Sequence, residues 1–218
     1  MAGAEGPGAQ QWVPDRGGHT ALRRAVQECR GCELYRDATQ AVMGAGSSRA
    51  RLVLLGEQPG DQEDRAGTPF VGPAGRVLDS ALDEAGIDRK DTYVTNVVKH
   101  FRFRSPRGKQ RLHRSPTQAH VTACAPWLQA ELALLRPEGV VLLGATAGKA
   151  LYGTSFRVGE ARGAPAEWPD RLPTDHPPQW VLATIHPSAV LRARDQRHEA
   201  YEGLVADLRL AAQTLKRL

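Results

Sequence analysis

The chain has 218 residues, a formal net charge of +5 and an apolar share of 41%, which is ordinary for one soluble domain with its own core. No apolar run approaches the roughly 18 residues of a membrane span, and MAGAEGPGAQ at the start has neither the cationic nor the apolar region of a secretory leader. A cytoplasmic protein without membrane contact is therefore expected, and in a reducing compartment its three cysteines, Cys29, Cys32 and Cys124, point to metal or redox chemistry before disulfides.

Residues 1–18 lack periodicity and read as a mobile tail ahead of a single domain over 19–218. Thr20 to Glu28 reads as a short helix that delivers Cys29-Arg-Gly-Cys32 at its end. Arg51 to Gly56 is a short apolar run ending in glycine, the pattern of a buried parallel strand, and it opens into the loop GEQPGDQEDRAGTPFVGPAG. Val77, Leu78, Ala81, Leu82 and Ala85 recur at helical spacing, with Gly86 as a C-terminal cap. Thr92 to Val98 is a second strand. Ser115-Pro116 predicts the start of a helix, which Pro126 should kink or interrupt. Gly139 to Gly144 is a third strand followed by helix over Ala145 to Leu151. Gly153 to Pro178 reads as an irregular excursion, Trp180 to Ile185 as a fourth strand, and Glu199 to Leu215 as an amphipathic closing helix. Strands alternating with helices predict an α/β fold, a three-layer α/β/α sandwich around a four-stranded, mainly parallel sheet. Ligands of such folds gather at the C-terminal strand ends, where GEQPG, Asn96 and His186-Pro187-Ser188 all fall.

Directly after the second strand, Lys99 to Arg114 (KHFRFRSPRGKQRLHR) carries seven Lys or Arg and no acid, so without it the rest of the chain would be at −2. An acid-free cationic strip suits a polyanion, and Phe101 and Phe103 within it can stack on bases or pack the loop down. GATAGKA (Gly144 to Ala150) is not a phosphate-binding loop, because it has three residues between its glycines where four are needed and Ala150 where Ser or Thr is needed. Cys29, Cys32 and Cys124 offer three thiolates, and His100, His113 or His120 could supply a fourth ligand, with His100 favoured by its place just past a strand end. Residue types alone leave an iron–sulfur cluster, zinc and no metal all open.

Taken in order, CRGC, GEQPG (Gly56 to Gly60), PFVGPAGR (Pro69 to Arg76), VTN (Val94 to Asn96) and HPS resemble the uracil-DNA glycosylase superfamily over residues 20–215, and most of all its fourth, iron–sulfur family. His100 stands where that family has a cysteine, and GKQRLHRSP is an insertion. Both features resemble the UdgX-type branch, known for trapping uracil-containing DNA covalently through the histidine of a K-R-R-I-H-like loop. Here that loop reads Lys109-Gln110-Arg111-Leu112-His113, with Gln110 in place of one cation.

The resemblance implies a 4Fe-4S cluster on Cys29, Cys32, Cys124 and His100, and as partner uracil-containing DNA, single-stranded by preference, engaged by a monomer that joins the nucleoid when bound. It implies that Phe70 stacks on the extruded uracil, Asn96 reads its amide edge, and His186 donates to a carbonyl oxygen as charge develops there. Gln58, Asp61, Arg111 and Ser188 complete the implied substrate contacts, and Lys109, Arg114, Leu191 and Arg192 the DNA contacts. Gln58 stands where some relatives place a water-activating carboxylate, and an amide cannot act as that base. His113 is the implied nucleophile toward the sugar C1′, with Glu57 orienting it or taking its proton, and an alkylated imidazole leaves poorly, so turnover should stop after one event. A hydrolytic iron–sulfur glycosylase and a non-catalytic iron–sulfur DNA-binding module are the alternatives.

Overall fold

Short apolar runs with period-2 alternation form one sheet with a core on each face. The computed structural model describes residues 6–105 and 110–217. Its strands in chain order are β1 (Ala45–Gly46), β2 (Leu52–Gly56), β3 (Thr92–Asn96), β4 (Phe103–Arg104), β5 (Leu112–His113), β6 (Gly139–Leu143), β7 (Pro165–Ala166) and β8 (Trp180–Thr184). The four expected strands are β2, β3, β6 and β8, parallel to one another and buried along their whole length. The sheet has six strands, not four, in the order β1-β3-β2-β6-β8-β7. The extra strands are two-residue antiparallel edges, too short to leave a period in the sequence.

The helices are α1 (Gly18–Ala25), α2 (Asp61–Ala66), α3 (Pro73–Glu84), α4 (Gln118–Leu135), α5 (Ala145–Tyr152), α6 (Val158–Ala161), α7 (Pro187–Arg192) and α8 (Arg197–Lys216). Val53, Leu55, Val140 and Leu142 face a core shared with α1, α4 and α5. Leu52, Leu54, Val141 and Leu143 face the opposite core, built with α3, α7 and α8. The result is the expected three-layer sandwich. Among the described residues no helix is long and apolar enough to cross a membrane.

Three local expectations change. Helix α4 starts two residues later than Ser115-Pro116 suggests, because the Thr117 hydroxyl accepts the His120 amide while the His120 ring accepts the Thr117 amide at 2.9 Å, a reciprocal cap stronger than a lone serine. It then runs through Pro126 to Leu135 without a break. The 153–178 excursion contains α6 and the β7 edge. Residues 8–13, read from sequence as part of a mobile tail, lie against the CRGC loop: the Gly8 amide donates to Gly31 O at 3.0 Å, the Ala9 amide donates to Ala123 O at 2.8 Å, and Ala9 is buried.

Candidate active site and cysteine cluster

The C-terminal ends of β2, β3 and β8 converge, and Gly56 makes their convergence possible. A Cβ on Gly56 would lie 2.4 Å from Asn96 Oδ1 and 2.7 Å from Phe70 Cζ, so only glycine lets both side chains approach the strand end. Phe70 has φ of 56°, a left-handed backbone that a bulky residue adopts only when its surroundings impose it. Glu63 is part of what imposes it, since its carboxylate accepts the amides of Gly60 at 3.0 Å and Gly72 at 2.7 Å and so ties the GEQPG and PFVGP loops together. Asn96 is 2% exposed and its Oδ1 has no hydrogen-bond partner, a group made to be completed by something that enters.

His186 caps α7. The Ser188 amide donates to its Nδ1 at 3.1 Å, which makes Nδ1 an acceptor and leaves the proton of the neutral ring on Nε2. Its imidazole pKa is pushed down to about 4, chiefly by burial and further by the Arg192 and His113 charges, against the opposing pull of Glu57. Ser188 Oγ lies 2.7 Å from the same Nδ1 and accepts from Arg192 at 2.8 Å. The ring centroids of Phe70 and His186 are 5.9 Å apart.

His113 reaches this cleft from the inserted segment. Strands β4 and β5 form a hairpin in which Phe103 pairs with His113 and Arg104 with Leu112. His113 Nε2 lies 3.3 Å from Glu57 Oε1, an oxygen that lacks a well-aligned donor, while the Thr146 hydroxyl donates to Glu57 Oε2. Burial would raise the Glu57 carboxyl pKa, but the contacts with His113 and Thr146 and the nearby His186 hold it below the usual carboxylate range. The His113 side chain is 49% exposed, so the ring stands over the cleft and is open to solvent.

The structure thus brings together Glu57, Phe70, Asn96, His113, His186 and Ser188. It gives other predicted site residues different partners. The Gln58 amide donates to Arg102 O and Arg114 O, both at 3.1 Å, and accepts the Arg102 amide at 3.1 Å, so its hydrogen bonds clamp the base of the hairpin and leave little for a substrate. Arg111 is held by Asp61 and by Asp64 at 2.6 Å and covered by the Phe101 and Phe103 rings at 5.5 and 5.1 Å, which occupies its guanidinium. Phe101 is buried and stacks on Phe103 at 5.1 Å, so these rings pack the loop down instead of presenting faces to bases. Leu191 and Arg192 stand at the rim on α7, and the Arg114 side chain is exposed. Lys109 lies outside the described residues. Thr146 went unnoticed in the sequence; it sits in the rejected GATAGKA run, whose position at the end of β6 was the available signal.

Cys29, Cys32 and Cys124 are free and buried in one cluster, near enough that a Cys29 thiolate raises the Cys32 pKa and that charge on Cys29 or Cys32 raises that of Cys124. Burial pushes the Cys32 thiol up to about 11 and the Cys124 thiol up to about 12. The indole N–H of Trp127 donates to Cys29 Sγ and the Lys99 amide to Cys124 Sγ, each at 3.3 Å, so two donors already face the sulfurs. Of the three candidate histidines, His120 is engaged at both nitrogens, with Thr117 and with Glu33 at 2.6 Å, and His113 faces Glu57. His100 is 5% exposed, follows Lys99, and has no ring hydrogen bond among the described residues. Burial, above all, pushes its pKa down to about 4, so it is a neutral imidazole, the form that binds metal. Among the described residues no three His, Cys, Asp or Glu side chains converge tightly enough for a single ion. Three buried thiols and a buried neutral imidazole are donors of the kind that hold an iron–sulfur cluster or zinc.

Comparison with known proteins follows the same outline. The family model of the uracil DNA glycosylase superfamily matches residues 43–209. The chain is 35% identical over 193 residues to a type-4 uracil-DNA glycosylase of Thermotoga maritima, covering 88% of this chain and 92% of that protein. It is also 35% identical over 186 residues to the type-4 enzyme of Archaeoglobus fulgidus, covering 82% and 85%. With a type-5 uracil-DNA glycosylase of Thermus thermophilus it shares 36% identity over 122 residues, about half of each chain. A match of that extent, on a sheet whose strand ends gather these side chains, makes this chain a member of the uracil DNA glycosylase superfamily.

Proposed function

We propose that the protein excises uracil from DNA and becomes joined to the resulting abasic sugar through His113. The observation that carries this reading is the 3.3 Å approach of the His113 ring to Glu57 in the cleft that also holds Asn96 and His186. Uracil extruded from the stack lies against Phe70, and the empty Oδ1 of Asn96 accepts its ring N–H. As the bond between C1′ and the base breaks, its electron pair leaves on the uracil. Neutral His186, with its proton on Nε2, donates a hydrogen bond to the carbonyl oxygen that carries the charge and does not give up the proton fully. An imidazole lone pair of His113 then bonds the oxocarbenium-like C1′, and the ring's remaining N–H proton passes to Glu57. Gln58, held by hairpin backbone, supplies no base for water, which favours capture over hydrolysis.

Cys29, Cys32, Cys124 and His100 would hold a 4Fe-4S cluster, which ties the N-terminal segment, the strand-β3 exit and α4 into one unit. Iron and sulfide analysis tests it, and one equivalent of zinc without iron would overturn it. For the reaction, the protein is mixed with uracil-containing single-stranded DNA, boiled in SDS and run on a gel. A heat-stable shifted band is expected. Abasic product without a shift would mean hydrolysis, and neither would mean a binding module. His113→Ser should abolish the band, and a surviving shift would place the nucleophile elsewhere.

A further inference from the structure

Three of the seven cations in residues 99–114 are held by groups of the protein itself. Lys99 is buried with Glu131, Arg111 is neutralised by Asp61 and Asp64, and Arg102 donates to Ser115 O at 2.6 Å. Arg104 and Arg114 of that segment are exposed, and further exposed positive charge lies on another face. A groove of about 820 Å³ runs between α3 and the α7–α8 junction, lined by Arg76, Arg194 and Arg197 together with Leu191, Asp195 and Tyr201. All three arginines are exposed, and among the described residues no carboxylate pairs with any of them. Asp195 is one acid against three guanidiniums. Arg194 has φ of 44°, a left-handed backbone unfavourable for its side chain, and strain of this kind is retained where a side chain must be aimed. The helices that flank the groove both start at the cleft, since α3 follows the Phe70 loop and α7 begins at His186.

We infer that this groove binds the phosphodiester backbone of DNA as it leaves the cleft, with Arg76, Arg194 and Arg197 on successive phosphates. The inference rests on the DNA reading above. Three unpaired guanidiniums in an open trough match a polyanion in charge and in the number of donors each presents. Phosphate contacts of this kind set affinity and register without reading sequence.

The test uses the full-length protein and undamaged oligonucleotides, single-stranded and duplex, by fluorescence anisotropy across a salt series, so that excision chemistry does not enter. Arg76→Ala/Arg194→Ala/Arg197→Ala is compared with Arg49→Ala/Arg136→Ala/Arg217→Ala, which removes equal charge at the opposite end of the sheet. The groove variant should bind at least about tenfold more weakly, and the slope of log K against log salt should become shallower by about 2 to 3, from three lost contacts at roughly 0.7 to 0.9 each. The control variant should stay near wild type. A loss with both DNA forms supports the groove and assigns it to the strand that enters the cleft; a loss with duplex alone supports it and assigns it to the complementary strand. Equal slopes for wild type and groove variant would overturn the inference, as would equal losses in the two variants. Wild-type protein that does not bind DNA at all would instead overturn the reading on which it rests.

Discussion

Lys99→Met probes a buried ion pair that stands between the cleft and the cysteine cluster. Lys99 Nζ donates to Glu131 Oε2 at 2.6 Å, to Thr95 Oγ1 at 2.8 Å and to the carbonyl of Asn96 at 2.7 Å, and neither charged side chain has any solvent exposure. Glu131 also accepts from the Gly44 amide at 2.9 Å and from Tyr93 and Thr95 hydroxyls at about 3.0 Å. Methionine nearly preserves the length of the stem, so packing changes little and the carboxylate loses its cation in a dry setting. Removing one member of such a pair costs about 3–5 kcal/mol. Against an ordinary domain stability of about 5–15 kcal/mol, that is a large fraction. Urea unfolding followed by circular dichroism should therefore show a much lower midpoint at an unchanged slope. Lys99→Met/Glu131→Leu should recover part of the loss, though not all, because Gly44 and Tyr93 are then left without an acceptor. A loss under about 1 kcal/mol in the single variant, or no recovery in the double, would refute the account of this pair as a charge held by its partner. Asn96 also loses the donor on its carbonyl, so uracil excision by the protein that remains folded should fall further than the folded fraction does.

Gly56→Ala places a methyl within 2.4 Å of Asn96 Oδ1 and should lower excision by about 10- to 100-fold, measured by uracil release with folding checked by circular dichroism; near-normal rates would mean Asn96 and Phe70 do not act together. Arg111→Met frees the hairpin from Asp61 and Asp64 and should slow adduct formation by a similar factor on the SDS gel, whereas an unchanged rate would show that His113 needs no clamp. His186 titrates near 6.5 unfolded and about 4 folded, so the unfolded chain binds more protons between those values; its contribution is complete above pH 6.5 and lost as pH falls toward 4, up to about 3 kcal/mol. His186→Asn should flatten that part of the pH profile of unfolding, and an unaltered profile would assign the acid sensitivity to other groups.

Strands β2, β6 and β8 were legible as five-residue, mostly apolar runs and β3 as a run rich in β-branched and aromatic residues, and the cleft was legible because glycine- and proline-rich motifs sit near the strand ends. The edge strands were not, since two residues carry no period. Thr117 took the cap of α4 from Ser115 through a side-chain pairing with His120 that the spacing of Ser and Pro alone does not reveal. Burial of Lys99 and Glu131, 32 positions apart, depends on α4 crossing the end of β3, a tertiary fact that no local pattern contains. For two of the seven cations charge counting fails for the same reason: Lys99 and Arg111 look free in the sequence until Glu131, Asp61 and Asp64 arrive from distant parts of the chain.

That redistribution of charge bears on how His113 is placed. A flexible arginine-rich loop would find phosphates readily but would hold an imidazole over the cleft only a small part of the time. Here the segment is fixed on several sides: Gln58 joins both hairpin arms, Arg111 reaches Asp61 and Asp64 of α2, and Phe101 lies beneath, with its ring centroid 6.0 Å from that of His113. Each contact removes freedom before DNA arrives, so the entropy of ordering the His113 ring over the cleft is already met in folding, a condition that the capture of C1′ proposed above requires. The clamps on Arg111 also set it apart from the exposed arginines of the groove proposed above. A guanidinium locked between two carboxylates and two rings holds the hairpin in place and is not free to meet a polyanion, whereas Arg76, Arg194 and Arg197 are exposed and, among the described residues, without a carboxylate partner.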